Sequence, residues 1–200
     1  MEANITTFSN TEKFFEYNDM MVRFKKAKRQ GFAFELLWIV YSMLEDRASA
    51  FLYHIGFVNE DRRNITKETV VRNFIQDLIY PRKIKSFGLD KLINKTEAIR
   101  LAVKWLDTVP AVGKYQKELK VLLKRGCIID ISFLDCLDNI DDWRIKRNKL
   151  THELFLGHGY KYDELLSLAD EGYKLARTLD NAANALRKRN NRVNIRTMFS

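Results

Sequence analysis

The scarcity of helix-breaking residues is the feature that most constrains how this chain folds. Two Pro and eight Gly occur in 200 residues. Between them, apolar residues recur every three or four positions over long stretches, which is the period of an amphipathic helix. Because 46% of the residues are hydrophobic, a chain of this length can bury one substantial core. We therefore predict an all-α bundle of five to seven helices with little or no sheet.

The breaks in this pattern divide the chain into seven predicted helical segments. The first begins at a capping box, in which Glu12 follows Ser9 by three positions, and it ends at Gly31. The second, over 32–55, is the most apolar and is the expected core spine. The others are predicted over 66–80, 89–107, 114–125, 132–156 and 162–189, with an extended link at 127–131.

We interpret this pattern as one helical domain over 1–190. The segment 66–126 is a helical insertion between the core helices, and 191–200 is a basic, flexible tail. From Arg187 to the end the chain carries five basic residues and no acidic residue. A tail of this composition can bind phosphates without sequence preference.

Charge and composition narrow the class of partner. The formal net charge is +9, which favours an anionic partner, and we expect this partner to be RNA. The alternative is that the basic surface serves solubility alone. Five basic residues over 23–29 form either an RNA-facing patch or, as we slightly favour, a solvated face. No signal-like or membrane-length apolar run is present, so we expect a cytoplasmic protein without a membrane partner. Cys127 and Cys136 lack metal-ligand companions, which predicts buried thiols and no metal or cofactor.

A candidate site lies in the basic stretch 141–156, DDWRIKRNKLTHELFL. Within this predicted helix, Arg144, Asn148 and His152 are spaced four apart and form one shallow stripe. Arg147 and His152 are five apart, which places them roughly 140° apart around the helix axis. A long arginine side chain can cross that gap, so one phosphate could touch both residues.

These residue types are suited to RNA cleavage without a metal. Histidine titrates nearest to neutral pH, so His152 can take the proton of a 2′-hydroxyl or protonate the leaving oxygen. Arginine presents a fork that matches phosphate oxygens, which makes Arg147 the candidate phosphate contact, with Asn148 as the orienting donor. The alternative for the same residues is a solvated basic helix face. Glu45 and Asp46, in the middle of the second helix, either orient this site or lie on an exposed edge.

The run Arg147-Asn148-Lys149-Leu150-Thr151-His152 resembles the Arg-x4-His signature of the HEPN superfamily of helical domains. The resemblance implies an up-and-down helical core with the motif on a late helix. It also implies a homodimer whose motif helices meet at a composite site. In such domains an acidic residue on an earlier helix often supports the motif, which gives Glu45 or Asp46 that role here, with Arg144 as a further supporting candidate.

The function implied is a metal-independent endoribonuclease, as in toxins or phage-defence effectors, with an antitoxin protein as a further partner. Some members of the superfamily have lost catalysis, so the alternative is an inactive module that binds RNA or a protein. A purely structural helical scaffold is a third interpretation. The motif alone separates the first of these from the other two.

Overall fold

The fold is described from a computed structural model over residues 10–55, 58, 89, 91–108, 131–156 and 162–190. These residues form five helices and no strand: α1 Asn10–Gln30, α2 Ala33–His54, α3 Leu92–Thr108, α4 Ile131–Phe155 and α5 Tyr162–Asn190. The prediction of an all-helical bundle is therefore confirmed for this part of the chain. The predicted helices over 66–80 and 114–125, the link before α4, Ser9 at the first cap and the tail over 191–200 lie outside the described residues.

Helix α2 is the centre of the bundle, as the sequence predicts. It packs most extensively against α5 and also contacts α1 and α3, while α4 packs against α5 and α3. Its apolar positions recur at three and four, so one continuous side of the helix is removed from water. The buried residues of α2 are Ala33, Leu36, Leu37, Val40, Met43, Leu44, Ala48, Ser49, Ala50, Phe51 and Leu52.

The turn between α1 and α2 depends on a glycine. Gly31 has φ +72°, a left-handed conformation that side chains other than glycine adopt only with strain. The Phe32 amide donates to the Ala27 carbonyl at 2.9 Å and closes the end of α1. A Cβ at Gly31 would also collide with the hydroxyl of Tyr162 on α5. Glycine at this position therefore permits both the turn and the approach of α5.

Helix α4 is fixed against α5 by a fully buried tryptophan. The Trp143 indole Nε1 donates to the Leu168 carbonyl oxygen at 2.7 Å. Gly172 lies one turn further along α5, and a Cβ there would be 2.5 Å from Trp143 Cε2 and 2.6 Å from Val40 Cγ1. The absence of a side chain at Gly172 thus creates the space that the indole occupies between α2 and α5.

Two networks of ion pairs connect the helices around this core. Arg47 on α2 pairs with Asp46 and, at 2.9 Å, with Asp180 on α5. Arg100 on α3 pairs with Asp141 on α4 at 2.8 Å. Asp180 and Arg47 are largely buried, and a buried ion pair is costly to break because the remaining charge has lost its water. These pairs join α2 to α5 and α3 to α4.

Candidate functional site

All the motif residues lie on α4, in its last three turns. The helix is continuous through the motif, and the Thr151 hydroxyl donates to the Arg147 carbonyl at 2.8 Å. Arg144, Arg147 and Asn148 are half-buried, whereas His152 is exposed. The motif therefore has an inner part, turned toward the bundle, and an outer part, turned toward solvent.

Arg147 is held between two aromatic rings of α2. Its guanidinium carbon lies 4.9 Å from the ring centroid of Trp38 and 4.9 Å from that of Tyr41. These are distances at which a cation is attracted to the face of an aromatic ring. Arg147 Nη1 also donates to the Asn148 Oδ1 at 3.1 Å. Asn148 is the acceptor in this contact, and its predicted role as an orienting donor stays a prediction.

Glu45 lies on the same side of α2 as these rings. Tyr41 and Glu45 share one side of the helix because they are four residues apart. Burial raises the pKa of the Tyr41 hydroxyl, and the neighbouring carboxylate of Glu45 raises it further. Burial lowers the pKa of the Arg147 guanidinium, while Tyr41 and Glu45 act in the opposite direction. Arginine stays protonated in proteins, so the cluster keeps a positive charge beside Tyr41 and Glu45.

The two acidic candidates have different surroundings. Glu45 contributes to the electrostatic environment of Arg147. Asp46, one residue further along α2, forms an ion pair with Arg47, which in turn binds Asp180 on α5. Of the two, Glu45 is the one that the structure brings beside Arg147.

Two guanidinium groups of the motif have a nitrogen without a hydrogen-bond partner. Arg144 Nε and Arg147 Nε are buried, and neither has a hydrogen-bond partner in the part of the chain that the structure describes. A buried donor left unpaired costs about 1–3 kcal/mol. Nor does Arg147 form an ion pair with any described residue. Its charge is therefore balanced by aromatic rings and by the field of Glu45 rather than by a direct carboxylate contact.

His152 lies on a different side of α4 from Arg147. It is exposed, and its position is roughly 140° around the helix axis from that of Arg147. The described part of the chain shows no contact between the side chains of His152 and Arg147. The structure thus brings together Arg147, Asn148 and Glu45 but leaves His152 apart from them within one chain.

The side of α4 that carries His152 also carries exposed aliphatic residues. Leu134 and Ile145 are 40% and 58% exposed, and Leu156, directly after the helix, is 70% exposed. They are spaced eleven apart, so together with His152 they fall within roughly 40° of one another around the helix axis. We call Leu134, Ile145 and Leu156 the aliphatic stripe. These exposed aliphatic side chains are available for contact with another protein.

Sequence reasoning missed Trp38 and Tyr41. The signal was present, because Phe34, Trp38, Tyr41 and Glu45 fall within roughly 60° of one another on α2. That side carries aromatic and acidic residues, whereas the buried side of α2 is largely aliphatic. The pattern does not show that Arg147 of a distant segment packs there, since this depends on how α4 lies against the bundle.

Other parts of the described chain offer weaker candidates. A shallow groove of ≈ 360 Å³ between α4 and α5 is lined by both lysines and glutamates, including Lys146, Lys149 and Glu171. On α1, Arg23 pairs with Asp19 at 2.9 Å, so the basic segment 23–29 is partly neutralised. Within the described ranges, no cluster of His, Cys, Asp and Glu is arranged to hold a metal ion. None of the helices in those ranges has the length and apolar character needed to span a membrane.

Comparison with models of known protein families, with curated proteins and with solved structures gives no significant match to this chain. The resemblance to HEPN domains therefore rests on the Arg147–His152 motif and on the helical order of the chain.

Proposed function

We propose that this protein is a metal-independent endoribonuclease of the HEPN type. The observation that carries the proposal is the arginine at the centre of the motif. Arg147 is fixed by two aromatic rings and by Asn148, and it forms no ion pair within the described part of the chain. A positioned guanidinium that no carboxylate of the described residues contacts directly is suited to bind the phosphate of an RNA backbone and to stabilise charge that develops there.

In this mechanism His152 moves the proton. As a base it takes the proton of the 2′-hydroxyl, whose oxygen then attacks the adjacent phosphorus. The bond to the 5′-oxygen breaks, and that oxygen is protonated by the conjugate acid of a histidine. The products carry a 2′,3′-cyclic phosphate and a 5′-hydroxyl. Glu45 acts through Arg147 and Tyr41 rather than on the substrate.

A homodimer is part of this proposal, because the resemblance to HEPN domains implies one. The aliphatic stripe supports this assembly, because it leaves Leu134, Ile145 and Leu156 exposed on the side of α4 that carries His152. A two-fold axis at the stripe would place two copies of α4 against each other. The two His152 side chains would then meet at the interface, each roughly 140° around its own α4 from Arg147. An antitoxin protein that covers the same stripe is the further partner of this proposal.

A second candidate is an inactive HEPN-like module that binds RNA or a protein. The observation that favours it is again the position of His152, which within one chain lies on a different side of α4 from the arginine. In that case the contact of Arg147 with Trp38 and Tyr41 would serve to bind RNA or to stabilise the fold, without chemistry.

Incubation of the purified protein with RNA in EDTA distinguishes the two candidates. We expect endonucleolytic cutting of RNA and none of DNA, which lacks the attacking hydroxyl. Removal of a general acid or base costs about 10²–10⁴-fold in rate, so His152→Ala should nearly abolish cutting while RNA binding persists. Arg147→Ala should weaken both. Lys149→Ala removes an exposed charge from the same helix and is the matched control, which should keep both. RNA that is bound but not cut by the parent protein would favour the inactive module.

A further inference from the structure

One aromatic side chain of α2 is exposed although its helix forms the centre of the core. Trp38 is 51% exposed, whereas its neighbours Leu37 and Val40 are buried at 1% and 0%. The ring of Phe34 lies one turn earlier and meets Trp38 edge-on, with centroids 6.3 Å apart and an interplanar angle of 68°. The two rings form a small aromatic surface at the side of α2 that faces the motif arginine.

This surface combines an exposed ring with a cation, the two kinds of group that hold single-stranded nucleic acid in proteins. The Arg147 guanidinium lies 4.9 Å from the Trp38 ring centroid. In proteins that bind single strands, bases stack on aromatic side chains while cations hold the neighbouring phosphates. A base in a duplex is already stacked on both sides and cannot present its face to a protein side chain.

We infer that Trp38 stacks on an unpaired nucleobase of single-stranded RNA while Arg147 holds the adjacent phosphate. This inference deepens the proposed function and rests on it for the choice of RNA as substrate. It makes Trp38 a residue that determines specificity, because it selects unpaired RNA over a duplex at the site where the phosphate binds.

The position of the aliphatic stripe argues against a second copy of the chain as the occupant of this surface. Ile145, at the centre of the stripe, is two residues from Arg147 and therefore roughly 160° away around α4. A dimer formed through the stripe leaves the side of Arg147 and Trp38 open. Charge supports RNA in particular, since the chain carries a net charge of +9 and Arg147 has no ion-pair partner among the described residues.

The test measures binding of short oligoribonucleotides in which every 2′-hydroxyl is methylated, so that cleavage cannot occur. Fluorescence anisotropy gives the dissociation constants of a single strand and of the corresponding duplex. The variants are Trp38→Ala and Trp38→Phe. The control is Phe32→Ala, which removes a ring of almost equal exposure, 52%, from a position roughly 120° away around the helix axis.

Loss of one stacked base costs about 1–3 kcal/mol, so Trp38→Ala should weaken binding of the single strand about 5- to 150-fold. Trp38→Phe should keep most of the affinity, and Phe32→Ala should keep all of it. Binding of the duplex should be equal in all four proteins. A strand of abasic nucleotides should bind the parent protein as weakly as a normal strand binds Trp38→Ala, and this arm needs no altered protein.

Three results would overturn the inference. The first is unchanged single-strand affinity in Trp38→Ala, and the second is equal affinity of the parent for normal and abasic strands. The third is a change of Trp38→Ala from dimer to monomer in sedimentation, which would place the ring in a protein interface. Cleavage of unmodified RNA, measured in parallel, separates this inference from the proposed function. Cleavage that does not depend on Trp38 would support the proposed nuclease but not the stacking site. Trp38-dependent binding without any cleavage would support the stacking site but not the nuclease.

Discussion

The close packing around Gly172 predicts a large effect for a small substitution. Gly172→Ala adds one methyl group to α5 at a point where an ideal Cβ would be 2.5 Å from Trp143 Cε2, 2.6 Å from Trp143 Nε1 and 2.6 Å from Val40 Cγ1. Ordinary van der Waals contacts begin near 3.4 Å, so the indole and the valine must both move. The indole cannot move freely, because its Nε1 is bonded to the Leu168 carbonyl at 2.7 Å.

The expected change in the free energy of unfolding is the sum of one stabilising and two destabilising contributions. Alanine in a helix is favoured over glycine by about 0.8–1 kcal/mol. Overpacking of a core costs about 1–3 kcal/mol, and loss of the Trp143 hydrogen bond costs about 0.5–1.5 kcal/mol. We therefore expect the free energy of unfolding to fall by about 2 kcal/mol, which corresponds to a decrease in Tm of about 4–8 °C for a chain of this size.

Urea denaturation followed by circular dichroism at the helix band measures this change. Asn181→Ala, at an exposed position of the same helix, is the control; it also gains helix propensity but meets no core atom, so its stability should be equal or slightly higher. If Gly172→Ala were as stable as the parent protein, the indole would not fill the space above Gly172, and the described packing of α4 on α5 would be refuted.

Three further predictions concern charge, thiol chemistry and assembly. Asp180→Ala removes one of the two carboxylates that pair with Arg47, and Asp46 remains; it should lower the free energy of unfolding by about 1–3 kcal/mol in urea denaturation, whereas Asp19→Ala, which breaks an exposed pair, should cost less than about 1 kcal/mol. Burial raises the pKa of the Cys136 thiol to about 11, so in a Cys127→Ser background it should resist iodoacetamide at pH 8 until the protein unfolds. Because its folded pKa lies above the unfolded value of 9.0, its contribution to stability should be complete below that pH and decline as the pH rises toward about 11. Ile145→Asp should convert a dimer into a monomer in sedimentation; a parent protein that is monomeric at tens of micromolar would contradict the composite site.

The fold was largely predictable because its helices depend on local patterns. The apolar period of α2 and the glycine after α1 placed these helices to within a residue or two of their observed bounds. The last two helices were predicted over 132–156 and 162–189 and are observed at Ile131–Phe155 and Tyr162–Asn190. Cys136 is buried as predicted, while Cys127 lies outside the described residues.

The site was only partly predictable because its contacts join distant segments. The adjacency of Asn148 and Arg147 on one helix places Asn148 within hydrogen-bond reach of Arg147. Spacing could not show that Trp38 and Tyr41, more than a hundred positions earlier, enclose the guanidinium. Nor could spacing show which of Glu45 and Asp46 lies near Arg147. That depends on Arg47, which pairs with Asp46 and with Asp180 on α5.

The chemistry of the cut ends tests the central claim most directly. The account requires the 2′-hydroxyl to attack, so mass spectrometry of an oligoribonucleotide cut in EDTA should show 2′,3′-cyclic phosphate and 5′-hydroxyl ends. A single 2′-deoxy nucleotide on the 5′ side of the cut should block cleavage there, and His152→Ala should give neither product. Products with a 5′-phosphate, or equally fast cutting by His152→Ala, would contradict the account.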